Sequence, residues 1–147
     1  MNDLKAQNYL LDSNIISEII KVNADYNVLK KLVEHTSDCA MTVMTWHELL
    51  YGVERLADGF RKSELTKFIY DDIGENFPLV NYSKNAAEIH AKIRAACERK
   101  GTCVPYGDSQ IAAIAIAEDM ILVTRNINHF QTISENFPLK LENWFVD

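Results

Sequence analysis

Short apolar runs alternate along this chain with longer segments whose apolar residues recur every three or four positions. The short runs are typical of buried strands, and the longer period is typical of amphipathic helices. Strands are predicted at 8–12, 39–44, 78–81, 120–124 and 139–141, and helices at 13–22, 25–34, 45–57, 61–73, 84–99 and 109–118. This alternation predicts an α/β fold in which helices cover a central, mainly parallel sheet.

Nothing in the sequence divides this pattern into parts. Without a repeat, a low-complexity stretch or a linker, we expect a single domain over residues 1–147, with 1–8 as a polar N-terminal extension. No apolar run reaches the roughly 20 residues of a membrane-spanning helix, and the first residues lack the layout of a secretion signal. The expectation is a soluble, cytoplasmic protein with no membrane partner, in which Cys39 and Cys97 are buried free thiols.

Three of the predicted strand-to-helix junctions carry an acidic residue. Asp12 follows the first strand, Glu48 lies just after the second, and Asp108 opens the helix that leads into the fourth. Each has a structural explanation as a helix cap, with Thr45 and Glu48 spaced as a capping box. However, the carboxyl ends of parallel strands meet at one edge of the sheet. We therefore expect the three carboxylates at a single crevice.

Carboxylates gathered in one crevice repel each other. Two of them about 5 Å apart repel by roughly 3 kcal/mol at an effective dielectric near 20, more than the about 1 kcal/mol that one cap contributes. A hard divalent cation converts this repulsion into binding, and oxygen ligands without a Cys or His array favour Mg²⁺ or Mn²⁺ over Zn²⁺. The sequence therefore predicts a metal site formed by Asp12, Glu48 and Asp108.

A fourth set of polar residues follows the strand predicted at 120–124. Thr124 ends that strand with a hydroxyl that can face the crevice, and Asn126 offers a neutral oxygen ligand or a hydrogen bond to a water. We predict that both belong to the catalytic site. His129 is expected to be exposed or packed near Phe130, and Arg125 either meets a phosphate or lies in solvent.

The net charge of −6 argues against a protein that grips nucleic acid through a broad basic surface. It is compatible with a metal-dependent nuclease, because the site of such an enzyme is itself acidic. Arg94, Arg99 and Lys100 are expected at a solvated helix end, from which they could contact RNA.

Four segments in this order resemble the PIN domain, and specifically the VapC-type toxins of bacterial toxin–antitoxin pairs. They are LLDSN at 10–14, TWHELLYG at 45–52, DSQIAAIA at 108–115 and LVTRNINHF at 122–130, and LENW at 141–144 adds to them. The resemblance covers 9–144. It implies a three-layer α/β/α PIN-like domain with a central, mainly parallel sheet.

The resemblance also implies an activity. The chain would be a Mg²⁺- or Mn²⁺-dependent endoribonuclease that hydrolyses phosphodiester bonds of tRNA or another structured RNA and so inhibits translation. Family metal ligands correspond to Asp12, Glu48 and Asp108. Relatives commonly carry another acid near Asn126 or His129, and its absence here favours one metal over two.

The resemblance implies protein partners as well: a homodimer, and a hetero-oligomer with a cognate VapB-like antitoxin. The predicted helices at 13–22 and 45–57 carry more apolar side chains than one core face needs. Some of them would serve a partner, although burial in the core explains any single one. The residues in question are Ile16, Ile19, Ile20, Trp46 and Tyr51.

Three alternatives stay open. A receiver-like phospho-switch also places Asp residues at strand ends beside Mg²⁺, but Asp12 is followed by Ser13 rather than by a second acid. A phosphatase with an Asp nucleophile would need a second Asp where Asn14 stands. The other alternative is a catalytically weak or inactive PIN-like binding module, because Asn126 and His129 are not acidic.

Overall fold

The computed structural model describes residues 8–102 and 104–145 and contains one five-stranded sheet. Every neighbouring pair of strands is parallel, in the order β3-β2-β1-β4-β5. The strands are β1 Tyr9–Leu11, β2 Cys39–Thr42, β3 Leu79–Val80, β4 Ile121–Val123 and β5 Lys140–Glu142. The expectation of a mainly parallel sheet is confirmed.

Helices cover both faces of this sheet. They are α1 Ser13–Ile16, α2 Tyr26–His35, α3 Val43–Glu54, α4 Phe60–Phe68, α5 Gly74–Asn76, α6 Lys84–Lys100, α7 Tyr106–Ala117 and α8 Ile127–Asn136. Leu10 and Leu122 point into an apolar cluster with α6, α7 and α8, whereas Leu11 and Val123 point into a second cluster with α1, α2 and α3. Adjacent strand residues thus face opposite sides, and the three-layer α/β/α architecture is confirmed.

The strand order creates a crevice between β1 and β4. The chain runs outward from β1 to β2 and β3, and then crosses back so that β4 pairs with the other side of β1. Ligands of open α/β sheets bind at the carboxyl ends of the strands where the order reverses in this way. A receiver-like protein has the order 2-1-3-4-5, so the topology argues against that alternative.

Two of the predicted helix starts are wrong. α3 begins at Val43 rather than Thr45, and the hydroxyl of Thr42 caps it by accepting from the Thr45 N–H at 3.1 Å. Thr45 lies buried inside the helix, so it does not form a capping box with Glu48. α7 begins at Tyr106, which places Asp108 in the first turn instead of at the cap.

Other boundaries differ for local reasons. The helix predicted at 13–22 ends as a short 3₁₀ turn at Ser17–Ile19, and the one predicted at 61–73 continues beyond α4 as a π turn at Ile69–Ile73. α8 was not predicted as a helix. α6 ends at Gly101, because this residue takes the left-handed conformation (φ 71°) that glycine adopts without steric cost.

Cys39 and Cys97 are buried free thiols, as predicted. Cys103 and the N-terminal extension apart from Asn8 lie outside the described residues. Within residues 8–102 and 104–145, no helix is long and apolar enough to cross a membrane.

Candidate active site

Asp12 lies between the end of β1 and the start of α1. Its backbone N–H continues the β1–β4 pairing by donating to the Val123 carbonyl at 2.9 Å. Its Oδ1 accepts the Ser13 N–H at 2.8 Å, so Asp12 caps α1 as predicted. Only 5% of the residue is exposed. A carboxylate this buried needs partners or a bound cation to be tolerated as a charge.

The second oxygen of Asp12 is held from the end of β4. The fully buried Thr124 hydroxyl donates to Oδ2 at 2.8 Å and accepts the Asn126 N–H at 3.1 Å. The Asn14 amide donates to the same Oδ2 at 3.4 Å. Asp12 is therefore fixed from both strands that border the crevice, and Thr124 lies beside it; a catalytic role of Thr124 stays a prediction.

Negative charge accumulates around Asp12. Burial raises the pKa of Asp12, hydrogen bonds from Thr124 and Ser13 lower it, and the charge of Asp108 raises it again. Partial desolvation of its carboxyl also raises the pKa of Glu48, although the residue as a whole is exposed, with further increases from Asp12 and Asp108. A hydrogen bond from Ser13 and the nearby His47 act on Glu48 in the opposite direction. The three predicted acids thus interact with one another electrostatically.

Asp108 faces the same crevice from the first turn of α7. About a quarter of its side chain is exposed, and its Oδ2 lies 3.2 Å from Nδ1 of His129. His129 is exposed, as expected, but its contact with Asp108 was not predicted. Within residues 8–102 and 104–145, no Lys or Arg pairs with any of the three acids.

A buried polar bridge from α6 anchors the start of α7. His90 is 2% exposed, and its Nε2 lies 2.8 Å from the Ser109 hydroxyl while its Nδ1 lies 2.9 Å from the Tyr82 hydroxyl. The Ser109 hydroxyl donates to the Tyr106 carbonyl at 2.9 Å, so its oxygen accepts from His90. His90 therefore carries its proton on Nε2. This bridge, next to Asp108, was not predicted.

Arg94 contributes to the same anchor rather than to a solvated helix end. Its guanidinium donates to the Val104 carbonyl at 2.6 Å and lies 5.4 Å from the centre of the Tyr106 ring. These contacts fix the chain on both sides of Pro105, where α7 begins. The expectation that Arg94 is solvated is therefore wrong.

The remaining loop residues take positions that the sequence did not specify. Asn126 contributes its backbone N–H, whereas its exposed side chain makes no hydrogen bond to any residue of 8–102 or 104–145. Arg125 lies over the Phe145 ring at 4.5 Å, and its backbone N–H donates to the Asn14 side chain at 3.1 Å. Asn14, which sequence reasoning did not assign to the site, links β1 and β4.

The donor set suits a hard divalent cation. It consists of carboxylate oxygens that repel one another, supplemented by hydroxyl and amide oxygens. Mg²⁺ and Mn²⁺ prefer oxygen ligands of these kinds. In the part of the chain that the structure describes, no three His, Cys, Asp or Glu side chains are already close enough together to hold a metal ion. The assignment of Asp12, Glu48 and Asp108 as ligands stays a prediction.

Thr124→Val removes the donor to Asp12 and leaves the Asn126 N–H without its acceptor. We expect a loss of about 1–3 kcal/mol in the free energy of unfolding, and a fall of about 10- to 100-fold in catalytic rate because Asp12 is no longer oriented. Denaturant unfolding and single-turnover kinetics measure the two effects. Thr124→Ser, which keeps the hydroxyl, should retain most of both properties; equal losses in the two variants would contradict this role of the hydroxyl.

The family model described as PIN domain matches residues 9–135. Ribonuclease VapC2 of Rickettsia felis is 32% identical over 138 residues, covering 92% of this chain and 97% of its own. The tRNA(fMet)-specific endonuclease VapC of Salmonella typhimurium is 29% identical over 137 residues, with the same two coverages. The crystal structure of Rickettsia felis VapBC2 bound to a promoter DNA fragment matches with a TM-score of 0.76 and 27% identity, over 92% of this chain and 98% of that one.

Proposed function

Because the chain belongs to the PIN-domain family, we propose that it is the endoribonuclease toxin of a toxin–antitoxin pair. The observation that carries this proposal is the fixed position of Asp12. The residue is buried at the strand-order reversal, is held by Thr124, and interacts electrostatically with Glu48 and Asp108. A binding module has no need of a buried carboxylate whose pKa is raised further by a neighbouring acid.

Asp12, Glu48 and Asp108 would hold a Mg²⁺ or Mn²⁺ ion. When bound, such an ion screens the phosphate charge and lowers the pKa of a coordinated water. The protein supplies the geometry: Thr124 and Ser13 orient Asp12, Ser13 also meets Glu48, and the α6–α7 bridge holds the turn that carries Asp108. His129 lies against Asp108 and is placed to orient that carboxylate or to donate to a substrate oxygen.

The substrate that we propose is structured RNA, with tRNA as the first candidate. The support is the similarity to an endonuclease specific for tRNA(fMet), together with the open approach to the acids. Glu48 is exposed, so a polymer backbone is able to reach it without entering an enclosed cavity.

The partner that we propose is a VapB-like antitoxin, alongside a second copy of the chain. An open groove of about 510 Å³ leads away from Ser13, Asn14 and Glu48 over an apolar floor. The floor includes Ile20, Leu49, Val53, Leu56, Leu65 and Ile69. An amphipathic antitoxin segment would lay its apolar face here. Among the apolar side chains that the sequence suggested for a partner surface, Ile16 lies in the core, whereas Tyr51 is 56% exposed.

Purified protein freed of any antitoxin should cleave total bacterial RNA into discrete fragments in the presence of Mg²⁺. We expect sequencing of the new ends to map the cuts to a small set of tRNAs. Adding the cognate antitoxin should suppress cleavage, which separates the toxin from a contaminating nuclease. Protein that binds Mn²⁺ but leaves all RNA intact would contradict the proposal and favour an inactive binding module.

A further inference from the structure

A second pocket adjoins the acids and shares only Glu48 with the groove proposed for the antitoxin. It lies between α3 and α7, has a volume of about 350 Å³, and has Glu48 and Asp108 at its rim. We call it the side pocket and define it by Met44, His47, Gln110 and Ile111 together with these two acids. Its volume lies in the range of small-molecule sites. Anything bound there lies next to the carboxylates.

The side pocket has an aromatic wall. His47 is exposed and its ring stacks on Tyr51 one helical turn along α3, with 6.1 Å between ring centres and 21° between planes. Arg55 continues the column, its guanidinium 5.2 Å from the Tyr51 ring centre. Residues four apart lie on one helix face. Through Tyr51, the column therefore connects the His47 ring to the positive charge of Arg55, about two helical turns further along α3.

The other walls combine apolar contact with one free polar group. Ile111 is buried and Met44 is partly exposed, which suits contact with a flat ring. The Gln110 side chain is partly exposed and makes no hydrogen bond to another described residue of 8–102 or 104–145. An amide in that position offers both a donor and an acceptor.

We propose that the side pocket binds an unpaired nucleobase of the RNA, in the nucleotide beside the scissile phosphate. The base stacks against His47 over Met44 and Ile111, and Gln110 contacts its hydrogen-bonding edge. Aromatic stacking with a cation nearby is the way in which proteins hold single-stranded bases. The inference rests on the proposed ribonuclease function and adds to it a determinant of cleavage-site choice.

The test uses total bacterial RNA and four variants of the intact chain. Cleavage sites are mapped by sequencing for wild type, His47→Ala, His47→Phe, Gln110→Ala and the control Gln131→Ala, which alters an exposed glutamine on α8. Kinetics are then measured on a short RNA that carries the strongest wild-type site. Light scattering of each variant reports its oligomeric state.

We expect His47→Ala to lower kcat/KM by about tenfold or more, mainly through KM, because base stacking contributes that much and acts before the chemical step. His47→Phe should keep most of the wild-type value, since it keeps a ring. Gln110→Ala should erase the base preference at one position beside the cut, and Gln131→Ala should leave it unchanged. Misfolding would instead lower kcat with KM intact, and would not be rescued by phenylalanine.

Three results would overturn the inference. In the first, the wild type cleaves RNA, but His47→Ala leaves KM unchanged and Gln110→Ala leaves the base preference beside the cut unchanged. This result would keep the ribonuclease function and rule out the base site. A change of oligomeric state in His47→Ala with KM unaltered would assign this face to a second copy of the chain. Wild type that cuts no RNA would overturn the proposed function, and the base site with it.

Discussion

Asp12→Asn is expected to abolish RNA cleavage and at the same time to raise the melting temperature of the protein. The loss of activity should exceed about 100-fold, because a charged oxygen at the centre of the site is replaced by a neutral amide and cation binding weakens. Single-turnover cleavage of the mapped RNA measures it. A variant that cleaves within a few-fold of wild type would remove Asp12 from the mechanism.

The gain in stability follows from the sign of the pKa shift. Burial raises the folded-state pKa of Asp12, so folding disfavours its ionised form. The Asp12 carboxyl therefore contributes fully to the stability of the folded protein at pH values below its pKa in the unfolded state. This contribution is lost as the pH rises through its higher pKa in the folded state. Asparagine never ionises and still accepts the Ser13 N–H as a cap, and its amide NH₂ donates to the Thr124 hydroxyl, which is able to accept where it formerly donated. It therefore avoids this loss at neutral pH.

A matched control separates capping from charge. Asp25 caps α2 by accepting the Val28 N–H at 3.1 Å, and it lies outside the crevice. Asp25→Asn should therefore change neither cleavage nor melting temperature by much. Thermal unfolding is measured at neutral pH in the absence of divalent metal, and again in acid, where the advantage of Asp12→Asn should disappear. A lower melting temperature for Asp12→Asn at neutral pH would contradict a buried charge that opposes folding.

The sequence predicted most of the architecture because the fold depends on local patterns. Alternating short apolar runs and helical periods specify a parallel sheet with helices on both faces, and the end of β1 places Asp12 at its edge. The end of α6 also has a local cause, because the basic last turn at Arg99 and Lys100 is followed by a glycine, Gly101. Boundaries were less reliable where two residues suit the same role. Thr42 and Thr45 are both able to cap α3, and the end of β2 at Thr42, directly before the helix, decides between them.

What the sequence did not predict depends on contacts between distant residues. The side chains of Asn14 and Thr124 are hydrogen bonded although 110 positions separate them in the sequence, and those of His90 and Ser109 are hydrogen bonded between two helices. Neither contact produces a periodic pattern in the sequence. α8 was missed because it buries only Phe130 and Ile133 among polar neighbours, and packing on the sheet rather than helix propensity stabilises it. The site is therefore completed by side chains whose types are ordinary and whose positions are specified only by the fold.

Removal of divalent metal is expected to stop cleavage completely, and its return should restore cleavage with a marked dependence on pH. EDTA-treated protein should regain activity with Mg²⁺ or Mn²⁺, and saturating metal should raise the stability of wild type by about 2.7 kcal/mol at a hundred times the dissociation constant. Glu48→Gln should show little of this stabilisation, because it removes one of the proposed ligands.

The pH dependence follows from competition between protons and metal for the same oxygens. Desolvation and repulsion from neighbouring acids raise the pKa of both Asp12 and Glu48, so these carboxyls take up protons at higher pH than ordinary ones. Metal affinity and cleavage should therefore begin to fall, as the pH is lowered, before carboxylates with ordinary pKa values titrate. Calorimetric Mn²⁺ titrations and cleavage rates across the acidic range should fall together. Cleavage that persists in EDTA, or metal affinity that rises on acidification, would contradict a cation held by these acids.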